Sequence, residues 1–92
     1  MAKLFDLTII DPEKIIYDAK VASAVVPAAL GYLGILADHA PLIAGLTKGK
    51  IILKDSSGKS VILYSQGDGF LEVFKNKVNV ILNRAATPQV NS

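Results

Sequence analysis

Lys50-Ile51-Ile52-Leu53-Lys54, Asp55-Ser56-Ser57-Gly58-Lys59-Ser60 and Val61-Ile62-Leu63-Tyr64 together form the stretch whose reading decides the fold. Two short aliphatic runs flank six turn-forming residues, which is a hairpin by composition. Working outward, the same grammar repeats. Ser65-Gln66-Gly67-Asp68-Gly69 reads as a turn or bulge, Phe70–Phe74 as a strand, Lys75-Asn76-Lys77 as a tight turn and Val78–Leu82 as the final strand. On the other side, Gly49 marks a turn and Leu42–Leu46 a short strand. Residues 14–26 form a β-favouring run with a bend at Asp18-Ala19-Lys20, ended by Pro27, which cannot donate to a ladder. Asp11-Pro12-Glu13 is a turn signal, and residues 3–10 alternate, with Phe5, Leu7 and Ile9 on one face and Asp6 and Thr8 on the other. No segment sustains a helical period. The expected fold is all-β, an antiparallel sandwich or small barrel. One domain over residues 1–86 and a polar, frayed tail over 87–92 are expected.

Composition narrows the function. Ninety-two residues bury only a modest core, yet 51% are hydrophobic and 20% charged. Some of that apolar surface must stay exposed or be covered by a partner. The ten Lys and Arg residues are spread along the chain, with no basic stripe, which argues against nucleic-acid binding. Cysteine is absent, so there is neither a disulfide framework nor a thiolate metal site. The uncharged run from Val21 to Ala37 is interrupted by Ser23, Pro27, Gly31 and Gly34 and falls short of a membrane helix. Several strands do not alternate. Ile51-Ile52-Leu53, Val61-Ile62-Leu63 and Val80-Ile81-Leu82 place apolar groups on both faces. Either β-branched residues simply favour strands, or part of the outer surface is docked.

Gly31-Tyr32-Leu33-Gly34-Ile35-Leu36-Ala37-Asp38-His39-Ala40-Pro41-Leu42 is the other informative stretch. It is apolar but too broken by Gly and Pro for a plain strand or helix, and reads as a shaped loop. It holds the only histidine, which leaves no multi-histidine metal site and no sequence-evident catalytic partner. Other constellations fail as well. Ser65 is not in a nucleophile elbow. Gly45-Leu46-Thr47-Lys48-Gly49-Lys50 has three residues between its glycines where a phosphate loop needs four, and it leads into a strand. Gly67-Asp68-Gly69 lacks the third glycine of a dinucleotide fingerprint. The carboxylates fall in turns or on polar strand faces.

Gly31-x-x-Gly34-Ile35-Leu36 followed by His39-Ala40-Pro41-Leu42 resembles the signature of the epsilon subunit of F-type ATP synthases. Leu4–Ile10, Tyr17-Asp18-Ala19, Gly49-Lys50-Ile51, Gly69–Val73 and Val78–Ile81 extend the resemblance in order along nearly the whole chain. The resemblance implies a flattened antiparallel β-sandwich of about ten short strands. It implies a non-catalytic place in the central rotor stalk, docked on the gamma subunit and resting on the polar loops of the membrane c-ring, in a complex with alpha, beta and delta subunits. It places the chain at the cytoplasmic face of a bacterial inner membrane or the stromal face of a thylakoid membrane, with membrane contact only through the ring. Ala28, Leu30, Gly31, Tyr32, Leu33, Gly34, His39, Ala40, Pro41 and Leu42 are the interface it implies with gamma and the ring.

Departures from the family pattern carry expectations of their own. Tyr32 stands where many relatives carry an acidic residue, so an aromatic contact replaces a charge pair there. Ala37 stands where proline is usual, and Gly67-Asp68-Gly69 replaces Ser-Gly-Gly. Many epsilon subunits continue into a C-terminal helical hairpin that restrains hydrolysis and in some binds ATP. This sequence stops after Asn83-Arg84-Ala85-Ala86 and a short tail, so neither nucleotide binding nor any other cofactor is expected. Two other readings compete: a free-standing sandwich that binds a small ligand or peptide, and a small hydrolase built on His39.

Overall fold

The computed structural model describes residues 3–83. Six strands account for most of them: β1 (Phe5–Ile10), β2 (Ile15–Ala28), β3 (Gly31–Ile35), β4 (Leu42–Asp55), β5 (Ser60–Phe74) and β6 (Lys77–Ile81). They run in the order β1-β6-β5-β4-β2-β3, and a further β1–β2 pairing closes the barrel. Its extents of 33 × 33 × 24 Å make it flattened. The tail at 87–92 and the domain ends at 1–2 and 84–86 lie outside the described residues.

The all-β expectation holds, but the count and two boundaries change. Six strands replace the expected ten because three of them, at 14–15 residues, run through both layers of the sandwich. In β4 and β5 the bends sit where turns were expected, at Gly49 and over 65–69, whereas in β2 the switch falls after the bend expected at 18–20. In β2 the inward positions pass from Tyr17 and Val21, opposite Ile9 and Phe5 of β1, to Ala24 and Val26; the switch falls where the register on β4 shifts between Val21 and Ser23. In β4 they pass from Leu46 to Ile51 and Leu53 across Thr47–Lys50. In β5 one extra residue bulges opposite Thr47, with Gly67 at φ 96° and Asp68 at φ 59°. The antiparallel expectation also has one exception, since β1 and β6 pair in parallel at the seam of the barrel.

Pro27 does not end β2. The strand continues to Ala28, and Pro27 stands opposite Tyr32 of β3. Its carbonyl accepts from Thr47 Oγ1 at 3.3 Å, so its nitrogen also faces β4, where the register is interrupted between Val25 and Ala28. The missing N–H therefore removes no regular ladder bond. Gly49 is likewise no turn; it lies within β4. There φ is +153°, and an added Cβ would lie 2.8 Å from both Pro27 Cβ and the Tyr32 hydroxyl.

The core is aliphatic. Phe5, Leu7 and Ile9 of β1, Val21 and Val26 of β2, Ile51 and Leu53 of β4, Leu63 and Leu71 of β5 and Val78 and Val80 of β6 are buried in one cluster. The deciding hairpin closes as composition predicts. Asp55 Oδ1 accepts from Ser57 N, Ser57 Oγ and Lys59 N at 2.7–2.9 Å, so the turn satisfies its own backbone. The outward Ile52 and Ile62 stand opposite one another and are half-buried, so this part of the non-alternating pattern is cross-strand packing.

Candidate functional site

The stretch from Gly31 to Leu42 is not one loop. Its first five residues are β3, paired with β2 through a two-residue turn at Ala29-Leu30. Only residues 36–41 connect, leading into β4. The burial of Ile35 and Leu46 fixes which side chains face out. Along β3, Tyr32 and Gly34 are exposed, while Leu33 turns toward the core and is half-buried. Along β4, Ile43 and Gly45 are exposed, while Leu42 and Ala44 are half-buried.

These two short segments border an open apolar groove of about 420 Å³, lined by residues 28–33 and 42–45. Leu30 is fully exposed, Ile43 75% and Tyr32 61%, an unusual density of large apolar groups on so small a surface. A second groove of about 500 Å³ continues from Leu42 and Ile43 over Pro41 to Val73 and Phe74. Phe74 is 58% exposed, with Lys75 Nζ 5.3 Å from its ring centroid. No charged residue lines the first groove, and Glu72 is the only one lining the second. Neither groove presents the converging polar groups by which a small-ligand pocket fixes its guest.

Of the ten sequence-predicted interface residues, Ala28, Leu30, Gly31, Tyr32, Leu33 and Leu42 meet in the first groove. Pro41 joins Leu42 in the second. Gly34 is on the outward face of β3 but lines neither groove. His39 and Ala40 lie apart, in the connecting loop, with His39 Nδ1 2.7 Å from the carbonyl of Ala40. Asp38 holds that loop from outside. At φ 65°, its N–H donates to Asn76 Oδ1 at 2.6 Å, and its carboxylate accepts from Asn76 Nδ2 at 2.9 Å and from Lys3 Nζ at 2.9 and 3.0 Å. The hydrogen bonds from Lys3 and then Asn76 hold the Asp38 carboxyl below its ordinary range. With its carboxylate so engaged, Asp38 does not orient His39 as a catalytic base.

Ala29, Ile43, Ala44, Gly45 and Phe74 belong to the same surface and were not predicted. Their signal was parity. Once Leu46 is known to point inward, Leu42 and Ala44 follow it, and Ile43 and Gly45 must face out. Gly45–Lys50 and Gly67–Gly69, the near-misses to nucleotide loops, lie inside β4 and in the bulge of β5. Among the described residues no three metal-ligating side chains come together, and no helix is long and apolar enough to cross a membrane.

Comparison with known proteins bears on this surface. The chain is 37% identical over 86 residues to the ATP synthase epsilon chain of Dichelobacter nodosus, covering 94% of this chain and 59% of that protein. It is 39% identical to the ATP synthase epsilon chain of Leptospira borgpetersenii over 92% of this chain and 65% of the relative. Against the chloroplastic ATP synthase epsilon chain of Emiliania huxleyi it is 38% identical over 87% and 60%. The chain thus spans about three-fifths of the length of these curated relatives. In fold it resembles a chain in the OSCP/F1/c-ring structure of the Euglena gracilis mitochondrial ATP synthase, with a TM-score of 0.85 at 24% identity over 92% of this chain and 53% of that one. A chain of the Tetrahymena thermophila mitochondrial ATP synthase central stalk and c-ring superposes with a TM-score of 0.70 at 17% identity over 90% and 66%. Residues 4–88 match the family of the ATP synthase Delta/Epsilon chain β-sandwich domain, and the chain belongs to that family.

Proposed function

We propose that this chain works as the epsilon-type sandwich of the central rotor stalk in an F-type ATP synthase, a non-catalytic coupling part. In this role it docks on the gamma subunit, rests against the c-ring and turns with both. It carries torque between ion flow through the ring and ATP synthesis in the head that contains alpha, beta and delta subunits. It sits at the cytoplasmic face of a bacterial inner membrane or the stromal face of a thylakoid membrane, reaching the membrane only through the ring. No bound cofactor enters this role.

One observation carries the reading: the continuous, nearly uncharged surface of Leu30, Tyr32, Ile43 and Phe74, on a chain of this family. Permanent interfaces are more apolar than free surface, and this is where the apolar excess of the sequence comes out. The architecture suits the task. A coupling part must resist shear, and three long strands here pass through both layers while a parallel pair seals the barrel.

The test is one-to-one association with the cognate gamma subunit. Leu30→Asp combined with Ile43→Asp is expected to weaken it at least about tenfold without unfolding the chain, since both side chains are exposed. Leu33→Asp is the poorer probe, because Leu33 packs on the core and its loss would confuse folding with binding. Undiminished binding by the double variant would assign gamma to another face.

A further inference from the structure

We propose that the free edge of β3 takes up an extended, uncharged segment of the protein on which this chain docks, added as one more β-strand bonded to Tyr32 and Gly34. The proposal rests on the docking role above and specifies its contact. Among the described residues β3 pairs with β2 alone, and its other edge is open. The turn Ala29-Leu30 makes Ala28 and Gly31 its closing pair, and Tyr32 and Gly34 then fall opposite Pro27 and Val25. Pro27 has no N–H to give, and its carbonyl is turned to Thr47 on the β4 side. Pro27–Tyr32 and Val25–Gly34 are therefore the wide, non-bonded pairs of this ladder. Tyr32 and Gly34 accordingly direct their N–H and C=O groups away from β2, and no other backbone group within the described residues bonds them.

Soluble proteins blunt such edges with lysine, proline or a bulge. β3 has none of these, and no charged residue occurs between Val21 and Ala37. The glycines add an independent sign. Gly34 and Gly45 have no positive φ, and an added methyl at either would meet nothing within 4 Å. The fold does not need glycine at these two places, and their missing side chains leave the outward face beside β3 clear for close approach. Leu30, Tyr32 and Ile43 then supply the side-chain contacts that accompany strand addition.

Residue-resolved amide exchange, measured on the free chain and on its complex with the cognate gamma subunit, tests this. The amides of Leu33 and Ile35, bonded to β2, should be slow in both states. Those of Tyr32 and Gly34 should be fast in the free chain and slow at least about tenfold in the complex. A complex in which these two stay fast overturns strand addition while leaving the docking role intact. Failure to form any complex removes the docking role and this proposal with it. Protection that grows with chain concentration, without gamma, makes a second copy the occupant and also overturns it. Gly34→Pro, which deletes an outward N–H and no β2 bond, should cut gamma affinity at least about tenfold. If that variant is unfolded by circular dichroism, the exchange pattern of the unmodified chain decides alone.

Discussion

Gly49 and Gly69 stand where the long strands bend, and Gly34 and Gly45 stand on the open side by β3; the fold needs the first two and not the others. At Gly69 an added Cβ would lie 2.5 Å from the carbonyl oxygen of Ile81, a backbone atom of the neighbouring strand. At Gly49 it would press on Pro27 and the Tyr32 hydroxyl, on a backbone at positive φ. At Gly34 and Gly45 it would meet nothing within 4 Å. A glycine that internal packing demands records the fold, whereas one that neither packing nor a positive φ demands leaves the outward face clear.

Alanine replacements can break this contrast. Gly69→Ala should have the largest effect, about 3 kcal/mol of destabilisation in chemical unfolding, because β5 and β6 must separate to admit the methyl. A loss under about 1 kcal/mol would mean that the β5–β6 pair yields to the methyl without separating. Gly49→Ala should cost about 2 kcal/mol, and part of this should return in a Tyr32→Ala background, which removes one of the two clashing groups. Additive losses in that double variant would place the penalty on Pro27 and backbone conformation instead of on Tyr32.

The turn residue Asp55 offers a smaller, pH-dependent effect. Its hydrogen bonds from Ser57 Oγ and then from the Lys59 and Ser57 amides hold its carboxyl below the ordinary range. A lowered folded-state value means that its contribution is complete above the ordinary carboxylate range and disappears as pH falls through the lowered one. Asp55→Asn should therefore lower the melting temperature slightly at neutral pH and flatten its fall on acidification. Parallel acid curves for the two proteins would contradict this. At the bottom of the scale, Gly34→Ala should leave stability unchanged or raise it by about 0.5 kcal/mol, since a strand glycine is weakly unfavourable. Destabilisation there would make Gly34 a folding residue and erase the contrast with Gly69.

Local pattern was enough for much of this. Phe5, Leu7 and Ile9 alternate in a strand with one buried face, and the structure buries all three. The Asp55–Ser60 loop carried its own turn chemistry, so nothing distant was needed to read it. Pro27 and Gly49 misled for one reason: each breaks a regular ladder, and both sit where the β2–β4 ladder is already interrupted. The exposed apolar surface was half legible. Leu30 and Tyr32 could be named from an apolar, uncharged stretch, but Ile43 could not be told from Leu42 without knowing which one the core claims.

What the sequence by itself determined was the all-β class, the hairpin at Asp55–Ser60, the absence of a catalytic set and an apolar excess that called for a partner. These depend on composition and on spacing within a few residues. Only the tertiary structure decided that four expected strand segments merge into two long strands, that β1 and β6 pair in parallel, and that among the described residues β3 keeps an open edge beside Ile43. Each of these turns on which strand lies next to which, and long-range pairing is set by the whole core closing at once rather than by any local run of residues.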